Sequence, residues 1–402
     1  MGLQPAHPSK PPSLSQNSAH PLINSQPSID SASPAMTHSE PVTHSRVFAD
    51  HCQLKLQPIV MNQSASQQWL DWQQKWQEHP MLSTLPACFG LPLWHPEFAQ
   101  SCQMEAGKVS CPVKAFDYFE GIADTLVFVI TPEGTAYTSL GLTFLDHSDT
   151  FEVFLHELAH SFGFIDEYKL KPTQQRIHCS LDYPSFISQN VYTIPKYWAR
   201  NSFSLKQGRY QQGPIVPTKG RLVETCQGTQ VNAYSIYPKG LMRHHELGPD
   251  NSLIQRWRSI WDDEQQYIPR FRVWYWQQSY DLLQPVDMNK ALEVARQYLP
   301  VFQLLLSHPY LTQSERQIVL TVATNQHFLP AYSLFGHWFL DHMNDPQQAK
   351  RWYHRGAMQG DGFSAYFLFR QYPEAGLQIQ NQLKVLIENQ GVFEYFQRGR
   401  TQ

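Results

Sequence analysis

His156-Glu157-Leu158-Ala159-His160 reads H-E-x-x-H and lies inside FEVFLHELAHSFG, where Phe151, Phe154, Leu155, Leu158 and Phe162 recur at helical spacing. Residues four apart on a helix share one face, so both imidazoles can reach a single ion at about 2.0–2.1 Å. Glu157, on the adjacent face, can then take a proton from a water polarised by the metal. That combination is hydrolytic chemistry. A merely amphipathic helix would instead bury this polar trio among Phe154, Leu155, Leu158 and Phe162 without partners. Gly163 and Asp166 follow His160 at the third and sixth positions, extending the pattern to H-E-x-x-H-x-x-G-x-x-D.

This extended pattern is similar to that of the metzincins. There the glycine turns the chain sharply out of the helix at positive φ, and a third ligand returns to the metal. Asp166 stands in the third-ligand slot, and a carboxylate oxygen is an accepted zinc ligand. The resemblance thus implies Zn2+ held by His156, His160 and Asp166, with Glu157 as general base and a fourth position open for water. Glu167 is the neighbouring carboxylate, either a substitute ligand or an acceptor that orients a metal histidine. HELAHSFGFIDEY more narrowly resembles the zinc signature of the immunoglobulin A peptidase family of bacterial metallopeptidases. The likeness continues through Cys226-Gln227-Gly228, Lys239 to Arg243 and Asn251 to Ile254, and covers about Ala123 to Trp257. It implies a methionine-bearing turn beneath the metal, formed around Met242 or, by the other alignment, at Ile254. A tyrosine of that block is missing, and His244, Arg243 or Tyr237 could supply its hydrogen bond to a tetrahedral intermediate. A lone histidine such as His178 is more often structural than catalytic.

Several elements must position these residues. Thr125 to Thr131 is a β-branched and aromatic run closed by Pro132 and Gly134, which predicts a buried strand. The stretch from about Thr135 to Asp146 reads as a second, partly exposed strand, where zincins place the edge that binds an extended peptide by β-augmentation. Asp149 or Thr150 can cap the helix that follows. Trp69, Trp72 and Trp76 mark an amphipathic helix, packing in the core or facing a partner. Lys169 to about Gln227 reads as a long loop. Residues 1–46, rich in Ser, Pro, His and Gln, read as a disordered lead that cannot offset its ordering entropy. At an offset of 34 residues Ala323 matches Ala357, Ala331 matches Ala365 and Leu334 matches Leu368, a period resembling tetratricopeptide and SEL-type helical hairpins. The expectation is an α+β fold: a metzincin-like zinc peptidase domain over 47–285, then an all-α helical-hairpin repeat domain over 292–402 whose surface could bind a protein partner.

Composition narrows the partners. With 402 residues, 42% hydrophobic and only 16% charged, at a net charge of −3, the chain can bury a sizeable core but offers no basic field for nucleic acid. No apolar run approaches the roughly 20 residues of a membrane-spanning helix. A peptide or protein substrate is expected. Cys102 and Cys111 are spaced as in a disulfide-closed hairpin, and Cys179 and Cys226 flank the long loop, yet disulfides and free thiols both remain open. MGLQPAHPSKPP has no apolar core and makes no signal peptide, whereas the family resemblance favours a site outside the cytoplasm. The competing reading is an interaction protein whose zinc domain is a structural or substrate-binding module.

Overall fold

A computed structural model of the protein describes residues 48, 52–179, 188–196, 202–206, 209–213, 221–235, 237, 240–280, 287–306, 308 and 310–376. The expected lead over 1–46 lies outside the described residues, as do the boundary at 285 and the chain beyond 376.

Strands and helices are mixed, as an α+β fold requires. The strands are β1 (Leu54–Val60), β2 (Ala87–Phe89), β3 (Gln103–Glu105), β4 (Lys108–Ser110), β5 (Leu126–Thr131), β6 (Tyr137–Ser139), β7 (Leu142–Asp146), β8 (Val191–Pro195), β9 (Ser202–Lys206), β10 (Arg209–Gly213), β11 (Arg221–Val223) and β12 (Val231–Ser235). The helices that bear on the site are α1 (Gln63–Glu78), α2 (Pro96–Ser101), α3 (Phe151–Ser161), α4 (Pro172–His178), α5 (Asn251–Glu264) and α6 (Phe271–Tyr280). Five strands form the main sheet in the order β2-β1-β5-β7-β6, parallel except for antiparallel β6 at one edge.

The pleat of β5 explains the two layers around this sheet. Leu126, Phe128 and Ile130 point to one face and join the core made with α1, α3 and α5, while Val127 and Val129 point to the other. On the first face the three tryptophans of α1 are core residues: Trp69 lies 5.6 Å from Phe128 and Trp72 stacks on Phe154 at 5.2 Å. Burying rings of this size against the inner side of α3 fixes that helix on the sheet and leaves its histidine face outward.

The stretch read as one strand from Thr135 to Asp146 is a hairpin instead. Leu140 takes φ 50° and Gly141 completes a two-residue turn, so β6 alone occupies the edge and β7 runs inside the sheet. Sequence alternation could not show this, because residues on both sides of the turn are β-formers. The glycine is sterically required: a Cβ at Gly141 would collide with the carbonyl of Arg270 and the nitrogen of Phe271. Gly141→Ala is expected to destabilise the protein by about 1–3 kcal/mol. An unchanged urea midpoint would contradict that packing.

The segment read as a loop from Lys169 to Gln227 is also structured. It contains α4, the β9–β10 hairpin and strands of a small antiparallel sheet ordered β11-β12-β8. All six cysteines are paired, as Cys52–Cys88, Cys102–Cys111 and Cys179–Cys226. The last of these joins the end of α4 to the turn before β12.

Downstream the described elements are helical: α7 (Met288–Gln297), α8 (Val301–Leu306), α9 (Gln313–Asn325), α10 (Pro330–Asp341), α11 (Pro346–Met358) and α12 (Gly362–Gln371). The 34-residue echo falls on the successive pairs α9–α10 and α11–α12, with Ala323 and Ala357 buried near the end of the first helix of each pair and Ala331 and Ala365 in the second. No described helix is long and apolar enough to cross a membrane.

Candidate metal centre

Helix α3 starts where Thr150 accepts a hydrogen bond from the Val153 N–H at 3.4 Å, so Thr150 is the cap. Its exit is equally specific. Gly163 adopts φ 82°, its N–H donates to His160 O at 3.0 Å, and the Phe164 N–H donates to Ala159 O at 3.2 Å. These two bonds around a left-handed residue form a Schellman motif, which closes the helix and turns the chain back past its own last turn. Asp166 arrives beside both histidines by that route.

Each imidazole is oriented by a backbone carbonyl. Nδ1 of His156 lies 3.0 Å from Leu241 O, and Nδ1 of His160 lies 2.9 Å from Phe164 O. A carbonyl only accepts, so each Nδ1 carries a proton and each ring, when neutral, presents a lone pair at Nε2. Those two Nε2 atoms lie 3.2 Å and 3.4 Å from the same Asp166 Oδ1. Ligand atoms around tetrahedral zinc, with bonds of about 2.0 Å, stand about 3.3 Å apart. Three acceptors therefore converge with no donor among them, and Asp166 Oδ1 is buried without a hydrogen-bond partner. Only a cation or a shared proton satisfies such a set, and its two imidazoles and one carboxylate suit zinc.

Glu157 belongs to the same cluster. One of its oxygens lies within 4.8 Å of ligating atoms of His156 and His160, and the residue is 6% exposed. The hydroxyl of Thr138, on β6, lies 2.8 Å from Glu157 Oε2 and 2.9 Å from its backbone carbonyl. The edge strand thereby holds the carboxylate.

Glu167 faces the other way. It is fully buried, pairs with Arg221, accepts from Ser235 Oγ at 2.6 Å, and donates its backbone N–H to Met242 O at 3.1 Å. Thr225 Oγ donates to the Asp166 carbonyl at 2.9 Å, which straps the ligand loop to the segment closed by Cys179–Cys226. The turn beneath the histidines spans 240–243, with Met242 wholly buried in it, whereas Ile254 sits on α5.

Of the three groups considered in place of the missing tyrosine, none is simply poised. Tyr237 is buried against Phe164, with burial pushing its pKa up to about 12, and Arg243 pairs with Glu224 at 3.5 Å. His244 pairs with Glu246 at 3.2 Å, while its neighbour His245 brings its ring 6.2 Å from that of His156. Three further residues stand near the site, of which Tyr168 closes the HELAHSFGFIDEY run and His178 reads as structural in the sequence. Thr138 has no local signature, since its contact with Glu157 depends on β6 crossing α3. Tyr168, next to the Asp-Glu pair, is 48% exposed, and burial with the nearby Asp166 carboxylate raises its pKa. His178 lies within electrostatic reach of His160 and Asp166, and burial lowers its pKa to about 4.

A proton can also occupy the centre of this set. Burial alone would lower the His160 pKa, but the carboxylates of Asp166 and Glu157 outweigh it and raise the value to about 9. Asp166 moves oppositely: burial would raise it, yet the two histidines hold it well below the ordinary carboxylate range. Below that raised pKa a metal ion bound there would have to displace the proton, so apparent affinity for added zinc is expected to rise up to about tenfold per pH unit and level off above about 9. Chelator-competition titrations between pH 6 and 10 check this, and a flat profile would contradict it. No protein-family model, curated protein or solved structure matches this chain.

Proposed function

We propose that the chain is a zinc-dependent endopeptidase with a metzincin-like catalytic region. The observation that carries this reading is the convergence of His156 Nε2, His160 Nε2 and Asp166 Oδ1, three acceptors without a donor, beside the carboxylate of Glu157. His156, His160 and Asp166 would hold the ion. Zinc bound there supplies Lewis acidity, which polarises the scissile carbonyl and makes water more acidic. Glu157 takes the proton from the attacking water and passes it to the departing amine. Thr138 keeps one Glu157 oxygen fixed so that the other can make this transfer. An extended peptide would lie along β6, the edge strand that carries Thr138, and so be presented to the base. A buried carboxylate placed beside the ligands and held by an edge strand has no use in a purely structural site.

Three disulfides without a free cysteine favour an oxidising compartment as the working environment. The helical pairs after about Leu292 would serve to bind a protein partner, since they hold no cluster of metal-ligating residues among the described ones. The test of the peptidase reading is incubation of the purified full chain with a mixed peptide library, before chelation, after it, and after zinc is restored. Cleavage that is lost and then regained supports the reading. A folded, zinc-loaded chain that cleaves nothing would favour the interaction-protein alternative.

A further inference from the structure

At the end of the main sheet where β5 and β7 begin, the segment entering α6 is tied down through its backbone. The Phe271 N–H donates to Thr125 O at 2.8 Å and the Arg272 N–H to Ala123 O at 3.0 Å, while Gly141 leaves room for the Arg270 carbonyl. The Leu299 N–H, just past α7, donates to Gln266 O at 3.1 Å and brings the downstream helices to the same place. Arg270 and Arg272 are thereby fixed in the wall of one cavity of about 320 Å³, together with Gln297 at the end of α7. Their charges are met unequally. Arg272 pairs with Asp124 and donates from Nη1 to Gln297 Oε1 at 2.9 Å. Arg270 has no carboxylate partner among the described residues. It lies over the Trp261 ring, 5.1 Å from the centroid; its hydrogen bond from Nη2 to Gln53 O is a long 3.5 Å, and its Nη1 has no acceptor. Burial without a compensating anion lowers its pKa to about 10, so it stays a cation at neutral pH. A guanidinium is a planar fork of N–H donors that matches a carboxylate, and one drawn partly out of water with donors unused is relieved by an anion.

A second cavity, of about 490 Å³, adjoins the first and shares Arg272 and Gln297 in its wall. Phe116, Phe271, Tyr275 and Trp276 also line it, with the Phe116 and Phe271 rings 5.0 Å apart. Of the charged groups at its rim, Asp117 accepts from the Tyr275 hydroxyl at 3.3 Å, while Lys290 and Glu293, three residues apart on the exposed side of α7, are opposite in sign. The chamber has the size of a site for a small organic molecule. One unmatched cation beside an aromatic chamber selects a singly charged anion that carries a ring, not a phosphate dianion.

We propose that Arg270, with Arg272 and Gln297, binds the carboxylate of an aromatic monocarboxylate whose ring enters the adjoining cavity. The site shares no residue with the metal centre and does not depend on the peptidase reading. A free aromatic acid and a peptide ending in phenylalanine present the same chemistry, and the test separates these sources.

Binding to the full, zinc-loaded chain carrying Glu157→Gln, which removes turnover, is read by isothermal titration calorimetry. The probes are phenylacetate, phenylacetamide, acetate, inorganic phosphate, and a short alanine peptide ending in phenylalanine with a free or an amidated end. The expected result is about tenfold tighter binding of phenylacetate or of the free-ended peptide than of the matching amide, with acetate weaker than phenylacetate. Gln297→Glu keeps an acceptor for Arg272 and adds a negative charge to the wall, so it should remove this preference with the fold intact; Arg270→Gln should remove it as well. Binding of a carboxylate at the zinc would respond to neither change. A preference shown by the free acid alone, or by the peptide alone, supports the site and identifies the source. Equal affinity for acids and amides, no binding of any probe up to about 10 mM, phosphate bound more tightly than the acids, or a preference that survives either substitution in a folded chain would overturn the proposal.

Discussion

Glu157→Gln is expected to lower peptide hydrolysis by about a hundredfold to ten-thousandfold while fold and zinc content stay unchanged. Glutamine keeps the shape of the side chain and can still meet the Thr138 hydroxyl, but it cannot take a proton from water. None of the three convergent acceptor atoms belongs to Glu157, so loss of its charge leaves the ligand set intact. Circular dichroism, zinc analysis and a cleavage assay on one preparation check all three statements. Residual activity within a factor of about three of wild type would remove Glu157 from the role of base.

The second large effect separates two adjacent carboxylates. Asp166→Ala should weaken zinc binding by more than the roughly 10- to 100-fold that loss of a supporting contact costs, since it deletes the one oxygen facing both Nε2 atoms. Its effect on folding should be smaller than that of Glu167→Ala, because in the absence of metal the Asp166 carboxylate meets chiefly the proton it shares with His160. Glu167→Ala should do the reverse. It leaves Arg221, Ser235 and Asn190 around an empty space in the interior, at a cost of about 2–4 kcal/mol, with Arg221 partly relieved by its contact with water. Urea denaturation and chelator competition on both variants read the two effects separately. Stronger loss of zinc affinity in Glu167→Ala than in Asp166→Ala at equal stability would overturn the assignment.

The parts of the site legible in the sequence are those carried by one helix and its exit. Helical periodicity places His156 and His160 on one face, and a glycine three residues on marks the turn, so the left-handed Gly163 follows from local chemistry, while Asp149 and Thr150 both fit the cap and only the structure selects Thr150. Tryptophans at three- and four-residue spacing likewise gave away α1 and its buried face. Legibility ended where contacts join distant segments. The carbonyl of Leu241 that orients His156, the Thr225 hydroxyl on the Asp166 carbonyl and the Arg221 partner of Glu167 come from a region with no periodic pattern. Its strands are short and paired antiparallel, and Cys179–Cys226 anchors one end, so the segment resembles a loop in sequence alone. The hairpin at Leu140-Gly141 was hidden for a different reason. The turn is made by close approach of the Arg270–Phe271 backbone, a tertiary demand that leaves only a glycine in the sequence.

The central claim is that His156, His160 and Asp166 hold one zinc ion, and elemental analysis tests it most directly. The full chain, purified without chelator and dialysed against trace zinc, should carry about one zinc per chain, and the variant with both His156→Ala and His160→Ala should carry none at matched fold. Full zinc occupancy in that double variant would place the metal elsewhere and contradict the account.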